Sequence, residues 1–372
     1  MQAAEKGKYW IGFNRVTGIG PMRLRTLLDF FGNVEAAWIA PRQALREAGL
    51  NVKLVESLLK ARESLDLDQE LAKLDQLGID LITWEDERYP DRLKEIDASP
   101  PVLYVSGSLE PIDRYAVAIV GTRRLSPYGE MIAREISNGL ASNGITIVSG
   151  LARGIDGIAH QGALEVGGRT LAVLGSGLDR LYPSNHRKLA HAVKERGAVL
   201  SDYPLGTAPE ARNFPPRNRI ISGLSLAVII VEAGESSGAL ITANFAAEQG
   251  RDVFAVPGNI HSRASKGTNR LILNGAIPFL SIVDVLEALN LELIARQEQV
   301  EDYLPEDDVE RVVYAKLSSE PIHVDELQVQ CDLPVSKITA SLAMLELKGQ
   351  ARQVGGMHYI RARETQAAYR VE

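Results

Sequence analysis

The sequence predicts an α/β protein: a Rossmann-like, doubly wound and mostly parallel sheet, preceded by a helical domain and followed by a winged helix. Three observations carry this reading. Between residues 115 and 290, short Val/Ile/Leu runs alternate with helical patterns. The runs are continuous instead of alternating in polarity, as strands buried on both faces between helix layers require. Most are followed by a Gly-bearing turn, where a strand gives way to the next element. The expected boundaries are 1–85 for a helical domain of SAM-like or helix-hairpin-helix type and 86–290 for the Rossmann-like domain, with an entry linker at 86–114. An acidic linker is expected at 291–310 and the winged helix at 311–372.

Bulk properties narrow the class. At 372 residues the chain exceeds one typical domain, and 45% apolar with 24% charged residues is ordinary for a protein with a sizeable core. The one cysteine, Cys331, rules out an internal disulfide framework and a Cys-based metal cluster, and fits a reducing cytoplasm. The N-terminus has no apolar signal core and no apolar run approaches the length of a membrane span, so neither secretion nor membrane insertion is expected. The net charge of −7 is uneven: residues 1–105 carry −3, 106–290 carry +2 and 291–372 carry −6. Only the middle leans basic, and a patch there can hold a polyanion on an acidic protein.

In chain order, residues 9–85 read as helical. Val16-Thr17-Gly18-Ile19-Gly20-Pro21 opens a helix that ends near Gly32. That turn is compatible with a phosphate-binding helix-hairpin-helix and equally with an unliganded bundle turn. Tyr89-Pro90, Ser99-Pro100-Pro101 and Pro111 mark the linker, within which Val102–Val105 can join the following sheet. Strands are expected at 115–120, 145–149, 170–174, 198–201, 226–231, 253–256 and 278–282, and helices at 128–142, 155–166, 186–195, 239–248 and 269–273. Seven acids between Glu298 and Glu310, with no basic residue, mark a solvated linker. Helices at 309–317, 324–330 and 335–348, followed by a hairpin turning at Gly355-Gly356, make the winged helix-turn-helix. Its third helix offers only Lys337 and Lys348 against Glu346, so a protein-contacting role suits it at least as well as duplex reading.

In such a sheet, ligands sit at the carboxyl ends of the strands. Five Gly-bearing loops leave those ends: Gly121-Thr122-Arg123-Arg124, Ser149 to Gly154 with Arg153, Gly175-Ser176-Gly177, Glu232 with Ser236-Ser237-Gly238, and Pro257-Gly258 with Ser265-Lys266-Gly267. Backbone amides and cations facing one crevice make an anion site. No phosphate-loop, dinucleotide-binding or nucleophile-elbow motif is present, and no cofactor or metal is expected. Asp156 and His160, at i and i+4, read as cap and core contact before metal ligands. Glu232 is the best catalytic carboxylate candidate, although hydrogen bonding to backbone or arginine suits it better. Arg212-Asn213-Phe214-Pro215-Pro216-Arg217-Asn218-Arg219 combines an aromatic with arginines, as base stacking plus phosphate contact requires. Its bland alternative is a rigid loop whose arginines pair with Asp202, Glu210 or Glu232 while Phe214 plugs the core.

The blocks AIVGTRRLSPYG, IVSGLARGIDGIAHQGAL, GSGLDRLYPSNH, FPPRNRIISGLS, SSGALITANFAAEQGRDVFAVPGNI and SKGTNRLILNGA, in this order, resemble the DNA-processing protein A (DprA/Smf) family. The resemblance implies a cytoplasmic, non-enzymatic protein of natural transformation. It would bind and protect incoming single-stranded DNA, form a homodimer and help load RecA recombinase. Carried onto this sequence, the DNA-binding positions are Gly121, Arg123, Ser149, Gly150, Arg153, Phe214, Arg217, Asn218, Arg219, Ser265, Lys266, Gly267 and Asn269. The competing class is a nucleotide phosphoribohydrolase of the lysine-decarboxylase-like group. Those enzymes carry a PGG-x-GT-x-x-E stretch, where this chain reads EAGESSGALIT.

Overall fold

The computed structural model describes residues 2–291, 308–318, 321–331, 333–347 and 351–361. It divides into two compact units, Met1–Leu291 and Glu292–Glu372.

The first unit opens with helices α1 (Gln2–Arg15), α2 (Pro21–Phe31), α3 (Val34–Ile39), α4 (Arg42–Glu47), α5 (Val52–Ser64) and α6 (Leu67–Leu77). Asn33, Asn51 and Asp66 cap α3, α5 and α6 through their side chains, and left-handed Gly32 and Gly78 stop α2 and α6. Gly18 and Gly20 do form the turn before α2, with Gly20 at its N-cap, and the Arg23 guanidinium donates to the Gly18 carbonyl at 2.6 Å. Then follow β1 (Asp80–Thr83), α7 (Asp91–Lys94), β2 (Val102–Gly107), β3 (Ala116–Val120), α8 (Pro127–Ser142), β4 (Thr146–Ser149), α9 (Ile155–Glu165) and β5 (Thr170–Val173). Next come α10 (Arg187–Arg196), β6 (Gly197–Ser201), α11 (Phe214–Gly223), β7 (Ala227–Ile230), α12 (Ala239–Glu248), β8 (Asp252–Ala255), α13 (Lys266–Leu273), β9 (Ile277–Pro278) and α14 (Ile282–Ala288).

The nine strands form one sheet in the order β1-β2-β6-β5-β4-β3-β7-β8-β9. From β6 to β9 every pairing is parallel, and β2 and β1 extend it antiparallel at one edge. All residues of β3, β4, β5, β6 and β7 are buried, as their unbroken apolar runs require. The chain starts at β3, winds outward through β4, β5 and β6, then crosses back to β7 on the other side of β3. The loops leaving β3 and β7 therefore diverge and open a crevice at their carboxyl ends.

The structure departs from expectation in four places. Residues 80–83, expected in the helical segment, form β1, because a short apolar run after Gly78 finds partners in Val102–Val105. Residues 214–223, expected to begin as a loop, form α11. Its prolines lie in the first helical turn, where a missing N–H costs nothing and a fixed φ favours the helix. Helix α13 begins at Lys266 instead of Asn269, so Lys266 and Gly267 belong to a helical turn. The last strand is only Ile277–Pro278, since Ser281 caps α14 through the Asp284 amide at 3.2 Å.

The helical segment packs onto the sheet through one continuous core that runs from Trp10 and Phe13 through Tyr104 to Val228. Asn14 bridges the two, donating to the Asp202 carbonyl at 3.1 Å and accepting from the Tyr104 hydroxyl at 3.0 Å.

In the second unit, α15 (Asp308–Lys316), β10 (Ile322–His323), α16 (Val324–Cys331), α17 (Val335–Leu347), β11 (Ala351–Gly355) and β12 (His358–Arg361) form a winged helix. Its sheet order is β10-β12-β11. Val313, Leu327, Ile338, Leu342, Leu345 and Tyr359 fill its core. Gly355 and Gly356 both have positive φ and turn the wing. The acidic run from Glu298 through Asp307, and Lys348, lie outside the described residues. Among the described residues no helix is long and apolar enough to cross a membrane.

Candidate nucleic-acid interface

The crevice between β3 and β7 is a cleft of about 770 Å³. One wall is the loop Gly121–Arg124; the other is the loop Gly234–Gly238 with the first turn of α12; Phe214, Asn218 and Ile221 of α11 and Tyr182 close it. Gly121 is required here, because a Cβ would meet the Ile155 side chain and the Glu232 carbonyl. Gly154 serves the same edge: its φ is +81°, and a Cβ would run into the Thr122 carbonyl.

Arg123 and Arg153 are exposed at this edge, as is Arg124, and among the described residues none of the three forms an ion pair. The Arg123 guanidinium lies 5.1 Å from the Phe214 ring centroid, and the Tyr182 ring lies 5.9 Å from it at a 46° tilt. Phe214 is therefore partly exposed between a cation and a second aromatic, and does not simply plug the core. Asn218 donates to the Gly238 carbonyl at 3.3 Å, joining the α11 wall to the β7 loop.

Other residues expected at the site turn inward. Arg217 is only 3% exposed; its Nη1 donates to the Gly150 carbonyl at 2.8 Å and to the Val173 carbonyl. Burial pushes its pKa down to about 10, with buried Asp156 as the opposing influence. Gly150 makes room for this guanidinium, since a Cβ would fall on Nη1. The expectation that Arg217 offers charge to a phosphate is corrected accordingly: its guanidinium is buried against strand-end carbonyls. Arg219 pairs with Asp202 at 2.8 Å, both largely buried, and Arg212 pairs with Glu210 at 2.7 Å, so the salt-bridge alternative holds for these two. Ser149 is fully buried and donates to the Ile119 carbonyl at 2.7 Å.

Lys266, Gly267 and Asn269 line a neighbouring groove of about 690 Å³ with Glu235, Asn244 and Arg270. The Gly234–Gly238 loop borders both hollows. Lys266 is exposed without an ion pair among the described residues, whereas Ser265 is buried. Asn269 is a brace: it accepts from the Gly258 amide at 3.1 Å and donates to the Gly258 carbonyl at 2.9 Å. The Gly267 amide donates to the Ala233 carbonyl at 2.7 Å, tying α13 to the β7 loop.

Glu232 also has a structural task. Its carboxylate accepts from the Ser126 hydroxyl at 2.6 Å and the Ser126 amide at 3.0 Å, and the same hydroxyl accepts from the Gly129 amide to cap α8. Asp156 and His160 are both buried and have separate partners. Asp156 accepts from the Ala152 amide, and His160 meets the Thr170 hydroxyl at 2.6 Å. Burial raises the Asp156 pKa against the pull of Arg217. No metal-binding cluster of three or more ligands occurs among the described residues.

Two family models match the chain: DNA recombination-mediator protein A over residues 80–290, and the DprA winged helix domain over residues 297–357. Protein Smf of Synechocystis is 38% identical over 95% of this chain and 98% of its own length. The chain belongs to the DNA recombination-mediator protein A (DprA/Smf) family. Protein Smf of Escherichia coli is also 38% identical, covering 92% of this chain and 95% of its own. Among solved structures, Streptococcus pneumoniae DNA processing protein A superposes with a TM-score of 0.66 at 36% identity, covering 75% of this chain and 95% of that one. Helicobacter pylori DNA processing protein A, described with its single-stranded DNA binding mode, gives 0.51 at 33% identity over 56% and 95%.

Tyr182 is a cleft residue that sequence reasoning misses. Only its place in a Leu-Tyr-Pro turn after a strand hints at exposure, and it is 43% exposed.

Proposed function

We propose that this chain binds single-stranded DNA along the edge where β3 and β7 end, without catalysis. The observation that carries the reading is Arg123: exposed, without a carboxylate partner among the described residues, and held over the half-exposed Phe214 ring at 5.1 Å. An aromatic platform beside a free cation suits a strand whose bases are already unpaired, with stacking contributing about 1–3 kcal/mol per base. Arg153 and Lys266 extend the cationic edge. The Helicobacter pylori relative, described by its single-stranded DNA binding mode, supports the choice of ligand. The absence of catalysis is supported by Glu232, whose two oxygens are occupied by Ser126.

Two copies pair, in this reading, through the apolar edge beyond β8. Ile260, Leu273, Leu280 and Val283 are 75%, 74%, 73% and 54% exposed there, beside the two-residue edge strand β9. Pairing sets two binding edges on one strand and raises avidity. Membership of a recombination-mediator family supports a cytoplasmic role in which the bound strand is protected and passed to RecA recombinase during natural transformation.

The test is fluorescence anisotropy with labelled oligo-dT over a range of salt, comparing the wild type with Arg123→Ala/Lys266→Ala. The wild type should prefer the single strand to duplex. The double variant should bind about tenfold or more weakly, and its log K–log salt slope should be shallower by about 0.7 for every phosphate it no longer neutralises. Equal binding by the two proteins would move the site elsewhere. No binding by either would reopen the small-nucleotide hydrolase reading.

A further inference from the structure

The cleft holds few nucleotides, and a strand entering it must leave across neighbouring surface. The chain itself leads from the cleft rim to a cationic helix. Tyr182 lines the cleft, and five residues later α10 begins at Arg187. His186 lies within hydrogen-bond distance, 3.0 Å, of the Leu151 carbonyl, so the start of α10 is pinned beside the loop that carries Arg153. Gly157 keeps that approach open, since a Cβ would press on the His186 ring.

Helix α10 is sharply two-faced. Leu189, Ala190 and Val193 pack into a core with Leu151, Leu174 and Val199. Arg187, His191 and Lys194, at i, i+4 and i+7, share the opposite face with Lys188, and all four are exposed. Glu195, exposed at i+4 from His191 and i+7 from Lys188, is the one acid on this face, and among the described residues Arg187, Lys188 and Lys194 form no ion pair with it or with any other carboxylate. In a protein of net charge −7 a face with three permanent cations to one carboxylate needs a reason. A purely solvating face on an acidic protein would be expected to carry carboxylates at least as often as cations.

We propose that the exposed face of α10 is an exit track for the phosphate backbone of single-stranded DNA leaving the Tyr182 side of the cleft. The proposal rests on the single-strand reading of the cleft and extends its ligand to a longer strand. A ten-residue helix is about 15 Å long, enough to place Arg187, Lys188 and Lys194 against successive parts of one backbone. The contact is electrostatic and sequence-independent, so it adds affinity and salt dependence without reading bases.

The experiment compares the wild type, Arg187→Glu/Lys188→Glu/Lys194→Glu and the milder triple Gln variant, all as the full chain. Each is titrated with an oligo-dT of about 5 nucleotides and one of about 25, lengths that bracket typical single-strand sites. Melting and sedimentation confirm unchanged fold and assembly. The expected result is unaltered binding of the short strand and about tenfold or greater loss for the long one. The salt slope for the long strand should become shallower by about 2, at about 0.7 for each of three phosphates. Unaltered long-strand binding by both variants overturns the track and leaves the cleft reading intact. Loss confined to duplex DNA also overturns it, since α10 would then be a duplex contact. A wild type that binds neither oligonucleotide overturns both the cleft reading and the track.

Discussion

Replacing Arg217 separates a residue that builds the cleft from Arg123, which is proposed to meet its ligand. In Arg217→Met the Gly150 and Val173 carbonyls, at the ends of β4 and β5, lose the donor they share. The Asp156 carboxyl, buried and already destabilised as an anion, loses its strongest favourable charge. Each of the two hydrogen bonds from the charged guanidinium is worth about 1.5–3 kcal/mol, and each buried carbonyl left without its donor costs about 1–3 kcal/mol. These describe overlapping interactions and do not add, so the expected loss is about 4 kcal/mol. For a domain of this size each kcal/mol shifts the melting temperature by about 2–4 °C, giving a fall of about 8–16 °C. Arg123→Met is the contrast: an exposed cation over an aromatic is worth about 0.5–1 kcal/mol, so its melting temperature should move by only about 1–4 °C. Thermal melting of both variants, with oligo-dT anisotropy well below the transitions, gives the pattern. Arg217→Met should be the unstable protein and Arg123→Met the weak binder. Should Arg217→Met melt within about 2 °C of wild type, the assignment of its guanidinium to the strand-end carbonyls is refuted. Gly150→Ala should imitate the Arg217 variant, because its added methyl occupies the guanidinium's place.

The pH dependence of stability should carry the mark of His160. The Thr170 hydroxyl donates to the Ile147 carbonyl, so His160 Nδ1 must bear the hydrogen between them, leaving Nε2 buried with no partner. Burial lowers the His160 pKa to about 3. Below about pH 6.5 the unfolded chain binds a proton the folded one refuses, so this contribution is complete above pH 6.5 and is lost as pH falls toward 3. Between about pH 7.5 and 5 that is about 2 kcal/mol. Burial raises the pKa of Asp156 and Asp202, which shift stability the opposite way on acidification, so the quantity to read is wild type minus His160→Leu. A difference that stays constant across this range by chemical denaturation would contradict the account. For the proposed pairing edge, Leu273→Glu/Leu280→Glu should give a monomer in sedimentation and lose affinity for long strands but not short ones. A variant that still pairs would rule that edge out.

The parallel strands are legible in the sequence because burial on both faces forces unbroken apolar runs, and the crevice follows because the loops of interest all leave strand ends. The inward and outward arginines are not separable there, for a physical reason that can be traced to two prolines. Taken as loop punctuation, Pro215 and Pro216 hide a helix whose first turn tolerates them. Once α11 is helical, Arg217 falls three and four residues before the buried Ile220 and Ile221, on the inner face. Asn218 lies round the helix from it, toward the cleft. Likewise the strand at Asp80–Thr83 is too short and too near α6 to declare itself; only pairing with β2 makes it a strand. The exposure of Lys266 is legible, but spacing along the chain cannot tell that it borders the adjoining groove.

The two kinds of arginine divide the work of the edge. Binding a flexible polyanion is most favourable when the groups that meet it need no reordering. Arg217 supplies that order from within by tying the ends of β4 and β5, while Ser126, held by Glu232, caps the helix that follows β3. Asn269 and Gly267 do the same for the loops after β8 and β7. With the loops thus braced, Arg123, Arg153 and Lys266 can remain unpaired at the rim. In the proposed binding a polyanion meets charge that the protein's own carboxylates have not neutralised, although the chain as a whole is acidic. This division also explains why the residue types alone overstate the site. Several of the expected contacts, Ser149, Gly150, Arg217, Arg219 and Asn269, already have hydrogen-bond partners within the protein. Their substitution should lower stability first, and any loss of binding should follow from the cleft losing its shape.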